Sequence, residues 1–227
     1  MRYIPSTMSR AAAVPVPPQL ARGLLPRATT VLAVIARPGQ ESAELGALLY
    51  AFRRSGARVA VLSLTRGEAS PLNSTIERLE TRRVWELQVA VGLLGVTALG
   101  IADYPDGGLA SRPADELAEL VSREIRRHTA DLVMIIDPAA GDSDQAAVEA
   151  AARAAAGQAG IPAVVRMTLA GSGRVITLGS EATVARAVQR SAAAAHSSQA
   201  EALPDVERGL SQLGDREMLR WLAPATG

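Results

Sequence analysis

Chemistry in this chain of 227 residues has to come from carboxylates, arginines and two histidines, because it contains no cysteine. That absence removes disulfides, thiolate metal sites and thiol nucleophiles together. His128 and His196 are the only histidines, too few for a zinc site of the usual nitrogen and sulfur donors. The remaining reactive side chains gather where apolar runs end. Arg37-Pro38-Gly39-Gln40-Glu41 follows the run Thr30 to Ala36, and Thr65-Arg66-Gly67-Glu68 follows Arg58 to Leu64. Asp106 lies in Tyr104-Pro105-Asp106-Gly107, and Asp142, Asp144 and Gln145 come after Asp131 to Ile136. Asp142, Asp144 and Glu41 have the chemistry of a general acid and base. Arg37 has that of an anion clamp.

The apolar runs read as strands buried on both faces, and in open α/β sheets ligands bind beyond the carboxyl ends of such strands. Leu45, Leu48, Leu49 and Phe52 share one face of a helix over 41–55, which Gly56 stops as a left-handed cap. A strand over 58–64 completes a strand–helix–strand unit. A helix over 76–95 follows, with Leu79, Trp85, Val89 and Leu93 expected inward, then a short strand over 98–101. The spacing predicts a helix over 113–128 with Leu117, Leu120, Val121 and Ile125 inward, a strand over 131–137 and an alanine-rich helix over 146–157. Residues 161–169 and 174–178 read as a hairpin or sheet-edge pair around Gly171-Ser172-Gly173, followed by a helix over 181–195.

The fold class is therefore α/β, a three-layer, doubly wound, mainly parallel sheet with a C-terminal β-hairpin and helices. Residues 1–28 are expected to be a flexible Pro-rich leader and 29–203 the domain. Residues 204–227 are expected to be a helical tail with Met218, Leu219, Trp221 and Leu222 as an apolar patch. Lys and Arg number 24 against 23 Asp and Glu, so net charge gives no reason to expect nucleic acid or an anionic membrane. No apolar run reaches the ~20 residues of a membrane helix. A cytoplasmic protein with a small-molecule ligand is expected, and a homo-oligomer is left open.

Ala36-Arg37-Pro38-Gly39-Gln40-Glu41 resembles the end of the first strand in the PIG-L/LmbE-like family of metal-dependent N-acetylglucosaminyl de-N-acetylases and mycothiol-pathway amidases, where Ala-His-Pro-Asp-Asp-Glu is found. Thr65-Arg66-Gly67-Glu68 resembles the family's Thr-x-Gly-Glu, and Arg83-Val84-Trp85-Glu86 its Arg-x-x-Glu. Asp106-Gly107 resembles an Asp-Gly pair whose aspartate meets sugar hydroxyls, and His196-Ser197-Ser198-Gln199 the late His-x-Ser-Gln. The likeness spans roughly residues 30–200.

The resemblance implies zinc and amide hydrolysis, but it also implies that the chemical positions have changed. Arg37 stands for a metal-binding histidine, Gly39 for the general-base aspartate and Gln40 for a metal-binding aspartate. Where His-x-Asp-His is usual, Asp142, Asp144 and Gln145 stand, so only the middle aspartate is kept and Gln145 replaces the last metal ligand. Hydrolysis of this kind needs a cation to polarise the carbonyl, a metal-bound water and a base. Glutamine oxygens suit calcium better than zinc.

The leading expectation is a pseudo-deacetylase without a cofactor, binding a small anionic or sugar-like molecule or stabilising a partner. Arg37 would be held by Asp142 and Asp144, with Arg83, Asp106, Glu68 and His196 as further binding residues. An anion would be gripped by Arg37 and the start of helix 41–55. Two other readings stand beside it. One is an enzyme, either an amide hydrolase with a relocated metal or a catalyst of metal-independent chemistry on Asp142, Asp144 and Glu41. The other is a structural subunit with its pocket filled. Taken singly, Arg83 and Glu86 read equally as a surface ion pair worth ~0.3 kcal/mol, and His128 as a solvated cation at a helix end.

Overall fold

A computed structural model describes residues 25–69, 78–138, 141–167 and 173–222. Its first strand, β1 (Thr30–Ile35), is buried throughout. Side chains alternate across a strand, so Val31, Ala33 and Ile35 enter one apolar core while Leu32 and Val34 enter another. That double burial explains why the run carries no charge. β1 lies between β2 (Arg58–Thr65) and β4 (Leu132–Ile136), parallel to both. β3 (Ala98–Tyr104) extends the parallel sheet beyond β2, and β5 (Ala163–Met167) extends it beyond β4. The order β3-β2-β1-β4-β5-β7-β6 reverses direction between β1 and β4. A crevice opens at the tips of strands at such a reversal.

Helices cover both faces, as the doubly wound expectation requires. α2 (Gly46–Arg54), α3 (Leu79–Leu93) and α6 (Ala182–Ala194) supply Leu48, Phe52, Leu87 and Ala185 to one core. α4 (Ala114–His128) and α5 (Ser143–Ala159) supply Leu117, Val121, Val148 and Ala152 to the other. Gly56 has a φ of +93°, the left-handed conformation that ends α2. His128 is half-buried rather than freely solvated, its Nε2 3.3 Å from Glu124. Among the described residues no helix is long and apolar enough to cross a membrane.

Four expectations are corrected. The helix over 41–55 is two helices, α1 (Gln40–Ala43) and α2. At the break the Gln189 amide donates to the carbonyls of Ser42 and Ala43, each at 3.0 Å. Gly46 permits that approach, since a Cβ there would sit 2.8 Å from Gln189 Cγ. On α3, Trp85, Val89 and Leu93 are 61%, 38% and 48% exposed instead of inward. The inward face belongs to Leu79, Arg83, Glu86, Leu87, Ala90 and Val91, so two charged residues fix the helix's rotation.

The hairpin does not form, although β6 (Arg174–Thr177) exists. β7 (Arg216–Leu222) inserts between β5 and β6, antiparallel to each. Gly171 and Ser172, its expected turn, lie outside the described residues. The helical tail is half helix, α7 (Leu203–Leu213), and half the strand β7. Met218, Leu219 and Leu222 are buried in the cores, and Trp221 lies exposed under the Arg174 guanidinium, 5.6 Å from ring centroid to Cζ. Of the leader, residues 1–24 are outside the described residues, while Leu25 and Ala28 pack on the core.

Candidate functional site

The crevice between β1 and β4 brings Arg37, just past the tip of β1, to Asp142, the residue that caps α5 after β4. Arg37 Nη2 donates to Asp142 Oδ1 at 3.0 Å and Oδ2 at 3.2 Å. Its Nε lies 3.4 Å from Asp106 Oδ1, close enough for charge attraction without an aligned hydrogen bond. Asp142 also accepts the Gln145 backbone N–H at 3.0 Å, a side-chain cap on α5. Asp106 receives the Ala69 N–H at 3.2 Å, and its own N–H donates to Glu68 at 2.8 Å. Burial raises the Asp106 carboxyl above its ordinary pKa, with the Arg37 charge and the Ala69 N–H opposing the rise.

Asp144, expected to face Arg37, turns to the loop after β3 instead. Its Oδ2 accepts the Gly107 N–H at 2.7 Å and its Oδ1 the Leu109 N–H at 2.9 Å. Buried and doubly bonded, it holds the segment that carries Asp106. Gln40 is committed locally, its Oε1 accepting from the N–H groups of Ala36 at 2.9 Å and Arg37 at 3.2 Å. Gln145 Nε2 donates to the Ile136 carbonyl at 3.0 Å, leaving its buried Oε1 without a partner among the described residues. Gly39 has a φ of +102°, and a Cβ there would meet the Gln199 amide at 2.7–2.8 Å. Gln199 Nε2 donates to the Pro38 carbonyl at 3.0 Å, so the place next to Gly39 is already filled.

Behind this rim lies a second, buried tier. Glu41 Oε2 accepts the Gly39 N–H at 2.8 Å, and its Oε1 meets Ser42 Oγ and His196 Nε2, both at 2.6 Å. Burial alone would push the Glu41 carboxyl up, but the His196 charge and these hydrogen bonds hold it below the usual range. His196 is shifted the other way: burial pulls it down, and the Glu41 charge and hydrogen bond raise it above the usual histidine value.

Arg83 is only 1% exposed and donates from Nη1 to the Gly67 carbonyl. Burial lowers its pKa, partly offset by the charges of Asp106 and Glu86. Glu86 accepts from Ser198 N at 2.9 Å, Ser198 Oγ at 2.6 Å and Ser197 Oγ at 2.8 Å. Arg83 and Glu86 are therefore two buried anchors, not a surface ion pair. Glu41 and Glu86 together tie the segment after α6 to β1's turn and to α3.

The family model described as PIG-L, GlcNAc-PI de-N-acetylase, matches residues 32–156. The chain belongs to the PIG-L family. Among solved structures it is similar to a deacetylase of the teicoplanin biosynthesis pathway, at 17% identity and a TM-score of 0.70, covering 87% of this chain and 99% of that one. It is also similar to N,N'-diacetylchitobiose deacetylase from Pyrococcus horikoshii, at 16% identity and a TM-score of 0.69, covering 87% and 84%. A third is GalB, the 4-carboxy-2-hydroxymuconate hydratase from Pseudomonas putida KT2440, at 15% identity and a TM-score of 0.67, covering 88% and 98%. Identities this low establish a shared fold. No curated protein matches the chain.

For this PIG-L family member, the structure gathers Arg37, Asp106 and Asp142 at one rim, with Glu68 bracing Asp106. It places Glu41, Asp144, Arg83 and His196 behind that rim as supports. Sequence reasoning missed Arg82, which donates to Ser197 Oγ at 2.8 Å and Glu86 at 3.0 Å. Gln199 was legible only as part of the late His-x-Ser-Gln motif, and nothing in its spacing announced contact with Pro38 and Gly39.

Proposed function

We propose that this PIG-L family protein is a non-hydrolytic small-molecule-binding member whose ligand is polyhydroxylated and sugar-like, held at Arg37, Asp106 and Asp142. The observation that carries the reading is the Arg37 guanidinium seated between two carboxylates at the β1–β4 crevice. Zinc, the metal the family implies, does not fit the donors present. Guanidinium cannot coordinate, Gly39 offers no side chain, and Gln40 spends its oxygen on two backbone N–H groups. Gln145 Oε1 is one neutral oxygen, too weak a donor to stand for a charged ligand set. A base carboxylate at position 39 would have to displace Gln199 and accept a left-handed backbone.

Charge favours the sugar-like of the two ligand classes expected from sequence. Three carboxylates, Asp106, Asp142 and Glu68, outnumber Arg37 and the buried Arg83 behind it, which disfavours an anion, whereas hydroxyl groups can donate to the carboxylates and accept from Arg37. The helix start offers an anion little: α1 has four residues, and the Gly39 N–H is already bonded to Glu41. In an assay of thermal shift and calorimetry with glucose, glucosamine, N-acetylglucosamine and inositol, at least one compound is expected to bind saturably. Arg37→Ala should weaken it about tenfold or more, since hydrogen bonds to charged groups contribute ~1.5–3 kcal/mol. If no compound binds the wild type more tightly than Arg37→Ala, the reading is wrong.

A further inference from the structure

Near the carboxyl end of β5, α7 and the end of α1 leave a cleft of about 380 Å³. Its floor is the buried guanidinium of Arg166, and its wall is apolar, made by Val206, Leu210 and Leu213. Below the floor, Glu217 is shared by two buried arginines: Arg166 Nε lies 3.2 Å from Oε2, and Arg186 Nη1 lies 2.6 Å from Oε1. One buried carboxylate therefore faces two guanidinium groups. The positive charge left over is balanced by Glu44, which pairs with Arg166 Nη1 from the mouth of the cleft. Glu44 differs from its partners in one respect: its side chain is 39% exposed, against 7% for Arg166 and 0% for Glu217. The other acid at the mouth, Asp205, is held 2.8 Å from Arg208 on its own helix.

We propose that this cleft is a binding site for a small carboxylate with a short apolar chain, the ligand's carboxylate taking the place of Glu44 on Arg166. The exchange keeps the charge count unchanged, one carboxylate leaving for water as another arrives. What favours the newcomer is the burial of its chain against Val206, Leu210 and Leu213, because transfer of apolar surface out of water supplies the net driving force. Glu44, tethered just after α1, has no such chain to bury. Gly209 lines the cleft, and a Cβ built there would meet no described atom within 4 Å, so a larger side chain has room at that position.

Chemical rescue tests this directly. Glu44→Ala leaves Arg166 short of a counter-ion, and sodium hexanoate is expected to raise the Tm of that variant by ~3–6 °C at about tenfold excess over Kd. Sodium chloride at equal ionic strength and hexan-1-ol should each give less than a third of that rise. Adding Gly209→Leu to Glu44→Ala should abolish the hexanoate effect by filling the cleft. Glu44→Gln, which keeps an oxygen for Arg166 but no charge, serves the same titration if the alanine variant does not fold. The proposal is overturned if chloride or hexanol matches hexanoate, if Gly209→Leu leaves the rescue intact, or if hexanoate shifts neither Glu44 variant.

Discussion

Replacing Glu217 by alanine is expected to destabilise the protein by ~3–5 kcal/mol, because removing one partner of a buried ion pair strands the other charge away from water. Here two charges are affected, Arg166 and Arg186, both buried and both within 3.2 Å of the Glu217 carboxylate. Arg186 keeps its bonds to the carbonyls of Gly214 at 2.9 Å and Arg216 at 2.8 Å, so the loss falls mainly on charge balance. The corresponding fall in Tm is roughly 6–20 °C for a chain of this size. Glu217→Gln, which retains the shape and one acceptor, should fall between wild type and alanine. A denaturant titration in which Glu217→Ala loses less than about 1 kcal/mol would show that the network is incidental to the joining of β7 to β5.

The second large effect concerns Glu41 and His196, whose contact at 2.6 Å closes the turn that presents Arg37. Glu41→Ala is expected to cost ~3–5 kcal/mol, by the same stranding of a buried partner. The pair also fixes how stability depends on pH. His196 has its pKa raised in the folded state by Glu41 against the pull of burial, so its contribution is complete below the unfolded value of 6.5 and is lost as pH rises through the higher folded value. Glu41 has its pKa lowered by His196 against burial, so its contribution is complete above 4.5 and is lost as pH falls through the lower folded value. Stability from this pair should therefore be greatest between pH 4.5 and 6.5. Measured by urea unfolding across pH 4–9, the decline on the alkaline side should be absent from a His196→Asn variant. An unchanged alkaline decline in that variant would remove His196 as its cause.

The parallel half of the fold was legible because its strands are buried on both faces, and such strands write themselves as unbroken apolar runs. β1 and β4 are examples, and β2 is interrupted only by Ser63 between its ends. β7 was not legible, since Met218, Leu219, Trp221 and Leu222 follow a spacing that suits a helix face as well as a strand between two cores. Its place in the sheet is set by Glu217 meeting Arg166, 51 residues away, and a pairing that distant leaves no local periodicity. The same limit applies to α3, where two buried charges, Arg83 and Glu86, override the apolar residues in choosing the inward face. At the site, the sequence placed Arg37, Asp106 and Asp142 at strand ends and so at one edge. It could not divide the acids between rim and scaffold, because nothing in their spacing says that Asp142 meets the Arg37 guanidinium while Asp144 meets the backbone N–H groups of Gly107 and Leu109.

On the proposed reading, the Arg37 guanidinium held by Asp106 and Asp142 takes the place of the metal that the family resemblance implies. The most direct measurement is zinc and iron content of the purified protein after equilibration with each metal, made alongside acetate release from N-acetylglucosamine. The predicted result is substoichiometric metal and no acetate above the uncatalysed rate. One bound metal per chain, together with acetate released at a rate that falls when the metal is chelated, would contradict it.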